Sequence, residues 1–163
     1  MQATKDTFYV TLRDRLVQRD PNLTIVIDGA TRPAIVVVEN EPPSSLARQN
    51  GAFYLEWGGV RSAHFPTSTL AAMDCAITYT SAGQSDSGGV DRGRSLAALD
   101  ADLLAMCCPA QAHKNDYSTG TAIDLGSYIF WSTPEVKPAK VAGEQVGRQA
   151  LVTVFFYPEV NQQ

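Results

Sequence analysis

The sequence has little charge, and neither sign of charge dominates. Of the 163 residues, 18% are charged, and 13 Lys and Arg against 17 Asp and Glu give a formal net charge of −4. Together with 44% hydrophobic residues, this composition predicts a soluble globular domain rather than a disordered chain. A mildly acidic chain binds phosphate backbones poorly, so we expect no sequence-specific nucleic-acid partner.

Long apolar runs are also missing. No run approaches the roughly 20 residues that span a bilayer, so we expect no membrane partner. Residues 1–14 mix charged and polar side chains without the apolar core of a secretory signal, which predicts a cytoplasmic start. The length is near that of one ordinary domain and no repeat is visible, so residues 1–163 are predicted to form a single domain.

Cysteine and histidine are too scarce for a ligand framework. Cys75, Cys107 and Cys108 are an odd number of thiols without regular spacing, so we predict that they are reduced, with Cys75 in the core. A structural zinc site needs four ligands in short paired spacings, which the two histidines do not complete. Cys108 with His113 stays open as a nucleophile and its base, without an evident third residue to orient the histidine.

The common catalytic and phosphate-binding motifs are absent. The glycine-rich segment 83–89 precedes a predicted helix but lacks the lysine of a phosphate loop. Ser62 and His64, together with Asp86-Ser87, supply the residue types of a hydrolase triad without its nucleophile motif. Asp100 and Asp102 point in different directions on a helix, so they do not form a carboxylate dyad. We therefore expect no enzyme, and no catalytic, cofactor-binding or metal-binding residues.

Two segments have the apolar spacing of amphipathic helices. Phe8, Leu12 and Leu16 recur at helical spacing, which predicts a helix over residues 5–19. The second helix is predicted over residues 90–107, where leucines recur in the same way. A proline follows each segment and ends the helix.

Apolar stretches of two kinds predict strands. Residues 72–81 alternate between apolar and polar side chains, whereas residues 149–158 are apolar on both faces, which predicts a central strand. Residues 23–29, which end in the turn signal Asp28-Gly29, are predicted to form a hairpin with residues 33–40, with a loop around residues 29–32. Further strands are expected at 52–57 and at 122–124 with 127–132, the last two as one bent strand or as two.

This order of elements lacks a regular βαβ alternation. We therefore predict an α+β fold: a mostly antiparallel sheet with two helices packed on one face and long connecting loops. Loops longer than about 12 residues are uncommon in a compact monomer and are usually functional, so we interpret them as arms that order against neighbouring subunits. The predicted loops cover residues 40–51, 58–70, 81–89, 109–121 and 133–148.

One pattern of elements extends over most of the chain. The segments that carry it are TFYVTLRDRLVQRDPNLT, MDCAITYTS, RGRSLAALDADLLAM and LVTVFFYPEV, a helix, a strand, a helix and a terminal strand. In this pattern the chain resembles the tail-terminator and tail-completion group of small phage and prophage tail proteins. The resemblance implies a structural homo-oligomer without a cofactor, typically a hexameric ring at the end of the tail tube. It also implies contacts with tail-tube and neck proteins, assembly in the host cytoplasm, and a place in the virion tail.

Two other interpretations stay open. A small enzyme or ligand-binding domain would line a pocket with Trp57, His64, Cys108 or His113. An adaptor would pair an exposed sheet edge with a strand of its partner.

Aromatic residues are expected either in the core or at an oligomer interface. These are Phe53-Tyr54, Phe130-Trp131 and Phe155-Phe156-Tyr157.

Overall fold

The computed structural model describes residues 1–42, 47–65, 68–83 and 90–158. Within them the chain forms two α-helices, α1 (Gln2–Arg19) and α2 (Asp91–Met106), and a short 3₁₀ turn (Val38–Asn40). The strands are β1 (Thr24–Ile27), β2 (Ala30–Pro33), β3 (Ile35–Val37), β4 (Phe53–Phe65), β5 (Ser68–Ser81), β6 (Gln111–Asp116), β7 (Ile123–Trp131), β8 (Glu135–Val136), β9 (Lys140–Ala142) and β10 (Gln145–Phe156). Both predicted helices are confirmed. Most of the predicted glycine-rich loop, residues 84–89, lies outside the described residues.

Eight of the described strands form one curled sheet with β10 near its centre. The strand order is β3-β4-β5-β10-β7-β6, and β8 and β9 pair with β10 beside β7. Neighbouring strands are antiparallel except β3 and β4, which are parallel. The α+β class with a mostly antiparallel sheet is therefore confirmed, as is the central position of the terminal strand.

The first hairpin is shorter than the sequence predicts. Asp28 and Gly29 both have positive φ and form a tight turn, so the return strand begins at once with Ala30, which pairs with Ile27. The predicted return strand at 33–40 is wrong, because the next strand, β3, leaves the hairpin and pairs with β4 instead. Its residues are all buried, so both faces of this apolar stretch are covered.

The predicted connection at 58–70 is wrong, since β4 and β5 occupy nearly all of it. The register shifts between Trp57 and Val60, and pairing then resumes to the end of both strands. A Cβ at Gly58 would lie 3.3 Å from the carbonyl oxygen of Asp74, so glycine permits close approach at this bulge. Residues 58–62, which include both glycines of this segment, are an exposed stretch of β4.

Two further predicted loops contain strands. The segment 109–121 includes β6, and the segment 133–148 includes β8 and β9, both of which pair with β10. Gly143, with a φ of +59°, provides the turn between β9 and β10. The alternatives for residues 122–132 are resolved as one strand, β7, which bends at Gly126 with a φ of +67°.

One apolar cluster unites both helices with the sheet. Phe8, Leu12 and Leu16 of α1 join the leucines of α2 and the buried residues of the strands. The ring of Phe8 meets Trp57 and Trp131 edge to face, at centroid distances of 5.5 and 5.3 Å. Burial of each such side chain stabilises the fold by about 1.5–3 kcal/mol. Cys75 lies in this cluster, as predicted.

A second, smaller cluster covers the other side of β3 and β4. Ile25 and Ile27 of the β1–β2 hairpin pack there against Val36 and Tyr54, which are register partners. Because side chains alternate across a strand, these residues face away from Ile35 and Val37, which belong to the main cluster. The hairpin thus covers the outer face at the β3 end of the sheet.

Candidate functional site

The hairpin of β6 and β7 extends past the end of the central strand. β10 pairs with β7 only over Ile129–Trp131, so residues 123–128 pair with β6 alone among the described strands. Since β7 is antiparallel to β10, this part continues beyond Phe156, the last residue of β10. We term β6, β7 and the connecting residues 117–122 the hairpin arm.

The hairpin arm exposes large apolar side chains. Ile123 is 50% exposed, Leu125 and Tyr128 are each 40% exposed, and Phe130 is 39% exposed. The rings of Tyr128 and Phe130 stack at a centroid distance of 6.2 Å. A concentration of exposed apolar residues on one projecting element is typical of an interaction surface.

The sequence left open whether the aromatic residues lie in the core or at an interface, and the structure has some of them buried and others exposed. Phe53, Tyr54, Trp131 and Phe156 are buried, whereas Phe130 and Tyr157 are exposed and Phe155 is half-buried. Since Phe130 and Phe155 are register partners, their side chains lie on the same face, opposite to the buried Trp131. The outer face at this end of the sheet is therefore aromatic and accessible.

A chain of polar contacts crosses the exposed side of the arm. The hydroxyl of Tyr128 lies 2.8 Å from Nε2 of His113, and Nδ1 of His113 lies 3.6 Å from a carboxylate oxygen of Asp124. The side chains of His113 and Asp124 are 59% and 57% exposed. The sequence analysis missed this group because the three residues come together only through the pairing of β6 with β7.

The tip of the hairpin arm is acidic. Between Lys114 and Lys137 the sequence has no Lys or Arg, while Asp116 and Asp124 lie at the ends of the two strands. Hydrogen bonds from Ser118 hold the pKa of Asp116 below its usual range, so this carboxylate stays ionised. Asp124 accepts a hydrogen bond from the backbone N–H of Gly126 at 2.8 Å.

A groove of about 610 Å³ lies at the opposite end of β10. Its floor includes small side chains of β5 and β10, and one wall comes from the segment of β8 and β9. The positively charged residues that line it include Arg48, Lys137 and Lys140, and none of its lining residues is acidic. We term it the basic groove and define it by Arg48, Thr78, Thr80, Lys137, Lys140 and Gly147.

The cations of the basic groove differ in their partners. Arg48 pairs with Glu56 and donates to the hydroxyl of Thr78 at 2.9 Å, and Lys137 pairs with Glu135. For Lys140 the described residues provide no carboxylate partner. Exposed ion pairs contribute little stability, so the paired cations can exchange partners at low cost.

A fourth cation, Arg148, lines the groove but turns away from it. Its Nε lies 3.2 Å from a carboxylate oxygen of Asp100, and its Nη1 donates to the carbonyl oxygen of Lys137 at 3.3 Å. The hydroxyl of Tyr79 donates to Asp100 at 2.5 Å, and burial raises the pKa of Tyr79 well above its usual range. Asp100 therefore anchors α2 to the sheet rather than serving the groove.

Gly147 makes the floor of the groove possible. A Cβ at this position would lie 2.9 Å from a methyl carbon of Thr80 and 3.1 Å from the carbonyl oxygen of Tyr79. Only glycine allows β10 to approach β5 this closely. The absent side chain also leaves the hollow above Thr80 open.

The cysteines at the end of α2 have different environments. Cys107 is buried and Cys108 is exposed. Burial raises the pKa of Cys107 to about 12, so this thiol is inert at neutral pH. Arg15 of α1 donates to the carbonyl oxygens of Met106 at 3.0 Å and Pro109 at 2.7 Å, and so caps the last turn of α2.

The candidate pocket residues of the sequence analysis are not gathered at the basic groove. Trp57 packs against Phe8, His113 lies on the hairpin arm, and Cys108 lines a separate surface hollow with Arg15 and Arg19. The side chain of His64 lies outside the described part of the structure. The sequence missed the groove because Arg48, Thr78 and Lys140 are far apart in the chain.

The two aspartates of α2 have separate partners. Asp100 binds Tyr79, and Asp102 accepts from Nε of Arg19 at 2.6 Å. Among the described residues no group of three or more His, Cys, Asp or Glu could hold a metal ion. In the same part of the chain, no helix has the length and apolarity to cross a membrane.

Comparison with known proteins gives no family assignment. No family model matches the chain, and no curated protein matches it. Two surfaces of the structure, the hairpin arm and the basic groove, have the features of interaction sites.

Proposed function

We propose that the chain is a structural subunit that assembles with copies of itself into a ring, of the kind formed by phage tail terminators. In this proposal the ring, a hexamer, closes the tail tube in the virion and contacts tail-tube and neck proteins. The subunit is not an enzyme and needs no cofactor. The observation that carries the proposal is the hairpin arm, which projects past the end of β10 with exposed apolar residues.

The physical argument begins with the cost of exposing those side chains. Complete burial of a large apolar side chain is worth about 1.5–3 kcal/mol, and these side chains are 39–50% exposed, so a subunit contact would recover about half of that for each. A projecting element that contacts a different surface of the next copy is heterologous, and heterologous contacts close into rings when the rotation permits. The resemblance of the chain to tail terminators supports the same reading.

The proposal includes the arrangement in which both helices cover one face of the sheet. In support, α1 and α2 contribute to the same apolar cluster. The outer face near Phe130 and Phe155 would then be left for neighbouring subunits. Contact of that face with a tail tube would bury its aromatic residues.

The test is the mass of the protein in solution over a wide concentration range, by light scattering after size exclusion. We expect discrete assembly toward a closed ring. The variant Tyr128→Ser/Phe130→Ser should remain monomeric, because it removes apolar side chains from the arm. Its matched control is Val17→Ser/Leu104→Ser, which changes two helix residues that are 40% and 45% exposed and should assemble normally. A wild-type chain that stays monomeric at every concentration would overturn the proposal.

A ligand-binding domain is the alternative that one specific observation supports. The volume of the basic groove, about 610 Å³, falls in the range of small-molecule sites. Its basic walls would select an anion. Thermal-shift measurements with inorganic phosphate, nucleotides and dicarboxylates test this alternative, and Lys140→Glu should abolish any shift that depends on the groove. No shift with any of these anions would remove it.

A further inference from the structure

Two surfaces with opposite charge lie at opposite ends of the central strand. The hairpin arm carries Asp116 and Asp124, and the basic groove carries Arg48, Lys137 and Lys140. We propose that the hairpin arm of one subunit docks into the basic groove of the next subunit. This inference rests on the proposed self-assembly and names the pair of surfaces that form the contact.

Charge complementarity is the first step of the argument. The tip of the arm has no cation between Lys114 and Lys137, and the lining of the groove has no carboxylate. Lys140 lacks a carboxylate partner among the described residues, and the exposed pairs of Arg48 and Lys137 can be exchanged. Opposite charges on two surfaces of one chain attract copies of that chain, and they disfavour contacts between two arms or between two grooves.

Apolar complementarity is the second step. The lining of the groove includes two exposed apolar residues, Pro138 and Ala142. The arm presents Ile123 and Leu125, which are also accessible. Docking would bury these side chains together and leave the charged residues around them. An apolar centre with a charged rim is the usual anatomy of a protein interface.

Distance is the third step, because it excludes contact within one subunit. The groove includes Gly147, and from this residue to Phe156 the strand advances about 30 Å. The arm continues from Phe156 in the same direction, away from the groove. A chain therefore cannot fill its own groove. Docking must be between copies, head to tail, which is the geometry that closes into a ring.

The experiment reverses the charge of each surface separately. The groove variant is Lys137→Glu/Lys140→Glu. The arm variant is Asp116→Asn/Thr119→Lys/Thr121→Lys/Asp124→Asn, in which asparagine retains the oxygen acceptors for the backbone N–H groups of Ser118 and Gly126. The assembly of each variant, of their equimolar mixture and of the wild type is measured by light scattering. Circular dichroism and thermal unfolding confirm that each variant folds.

We expect each variant alone to need at least about tenfold more protein for assembly, because like charges then face each other. The mixture should recover assembly, since the unchanged arm of one variant meets the unchanged groove of the other. In the mixture, the reversed arm of the arm variant is positive and the reversed groove of the groove variant is negative, so these two surfaces also attract each other. The control Arg13→Glu/Arg94→Glu has the same change in net charge as the groove variant, on the helices, and should assemble as the wild type does.

The outcomes separate this inference from the proposed function. Discrete assembly that both variants retain would overturn the docking of arm into groove and leave the ring intact. Loss of assembly in both variants without recovery in the mixture would also overturn it, because pairing of the two surfaces requires recovery. A wild-type chain that never assembles would overturn both proposals together.

Discussion

The centre of the sheet and the hairpin arm are built from similar strands but have different surroundings. β5 and β10 pair without interruption from Val146 with Ser81 to Phe156 with Ala71, and their buried residues share one apolar cluster with residues of both helices. β6 and β7 pair across a register shift, and much of β7 is exposed. The central pair thus supplies stability, and the arm presents a surface. Function in this chain is expected where packing is incomplete.

The largest expected effect separates a core aromatic from an arm aromatic. Phe156, 1% exposed on β10, and Phe130, 39% exposed on β7, lie near each other in the sheet. Phe156→Ala should lower the free energy of unfolding by about 3–5 kcal/mol, through lost burial and a cavity. Phe130→Ala should lower it by less than about 1 kcal/mol and should instead weaken assembly. Urea unfolding measures both, and equal losses of stability would contradict the comparison.

The next largest effect on stability is expected at Arg15, which joins the end of α2 to the start of the hairpin arm. Arg15 binds the carbonyl oxygens of Met106 and Pro109, and of Gln111 at the start of β6. Arg15→Met should cost about 1–3 kcal/mol, because it removes a charged donor from three carbonyl groups, and the contact with Met106 is partly buried. Arg13→Met is the matched control, since Arg13 pairs with its neighbour Asp14 and lies over the ring of Tyr9, both on its own helix. Hydrogen exchange should show the Arg15 change concentrated at the end of α2 and in β6, and a uniform change would contradict this role.

Sequence periodicity predicted the regions that are packed on one side. Phe8, Leu12 and Leu16 repeat because α1 has one buried face, and residues 72–81 alternate because β5 has a core face and an outer face. The central position of β10 followed from apolar residues on both of its faces. These predictions succeeded because burial imposes a pattern that local sequence displays.

The same reasoning failed where strands are exposed or where contacts are distant. In the outer half of β4, glycine and polar residues interrupt Val60, Ala63 and Phe65, so neither face has the regular apolar spacing that predicts a strand. The basic groove depends on Arg48, Thr78 and Lys140, which only the pairing of β5, β10 and β9 brings together. Periodicity carries no information about such a site.

A smaller, pH-dependent effect comes from the outer face of the central strands. Hydrogen bonds from Arg61 and then from the hydroxyl of Thr153 hold the pKa of Asp74 below its usual range. A carboxyl group with a lowered folded-state pKa stabilises the fold above its unfolded pKa, and this stability is lost as the pH falls through the folded value. Asp74→Asn should therefore cost less than about 1 kcal/mol at pH 7, since the side chain is 46% exposed.

The difference in stability between the wild type and Asp74→Asn should shrink below about pH 4, as the wild-type carboxyl becomes protonated. Urea unfolding between pH 7 and pH 2 measures this dependence. Glu144→Gln removes the same charge at an exposed turn and reports the effect of net charge alone. A constant difference across the pH range would show that Asp74 acts by geometry and not by its charge.

The three cysteines should differ strongly in reactivity toward a thiol reagent, although substitution of the exposed one should have the smallest effect on stability. Cys75 and Cys107 are buried, and burial raises the pKa of each thiol, whereas Cys108 is exposed just before the arm. A thiol reagent should label one cysteine rapidly and the other two only through opening of the core. An opening free energy of about 5 kcal/mol slows that labelling by about three to four orders of magnitude. Cys108→Ser should remove the fast phase and change stability by no more than about 0.5 kcal/mol, and a second fast thiol would mean that the sheet centre is not closed.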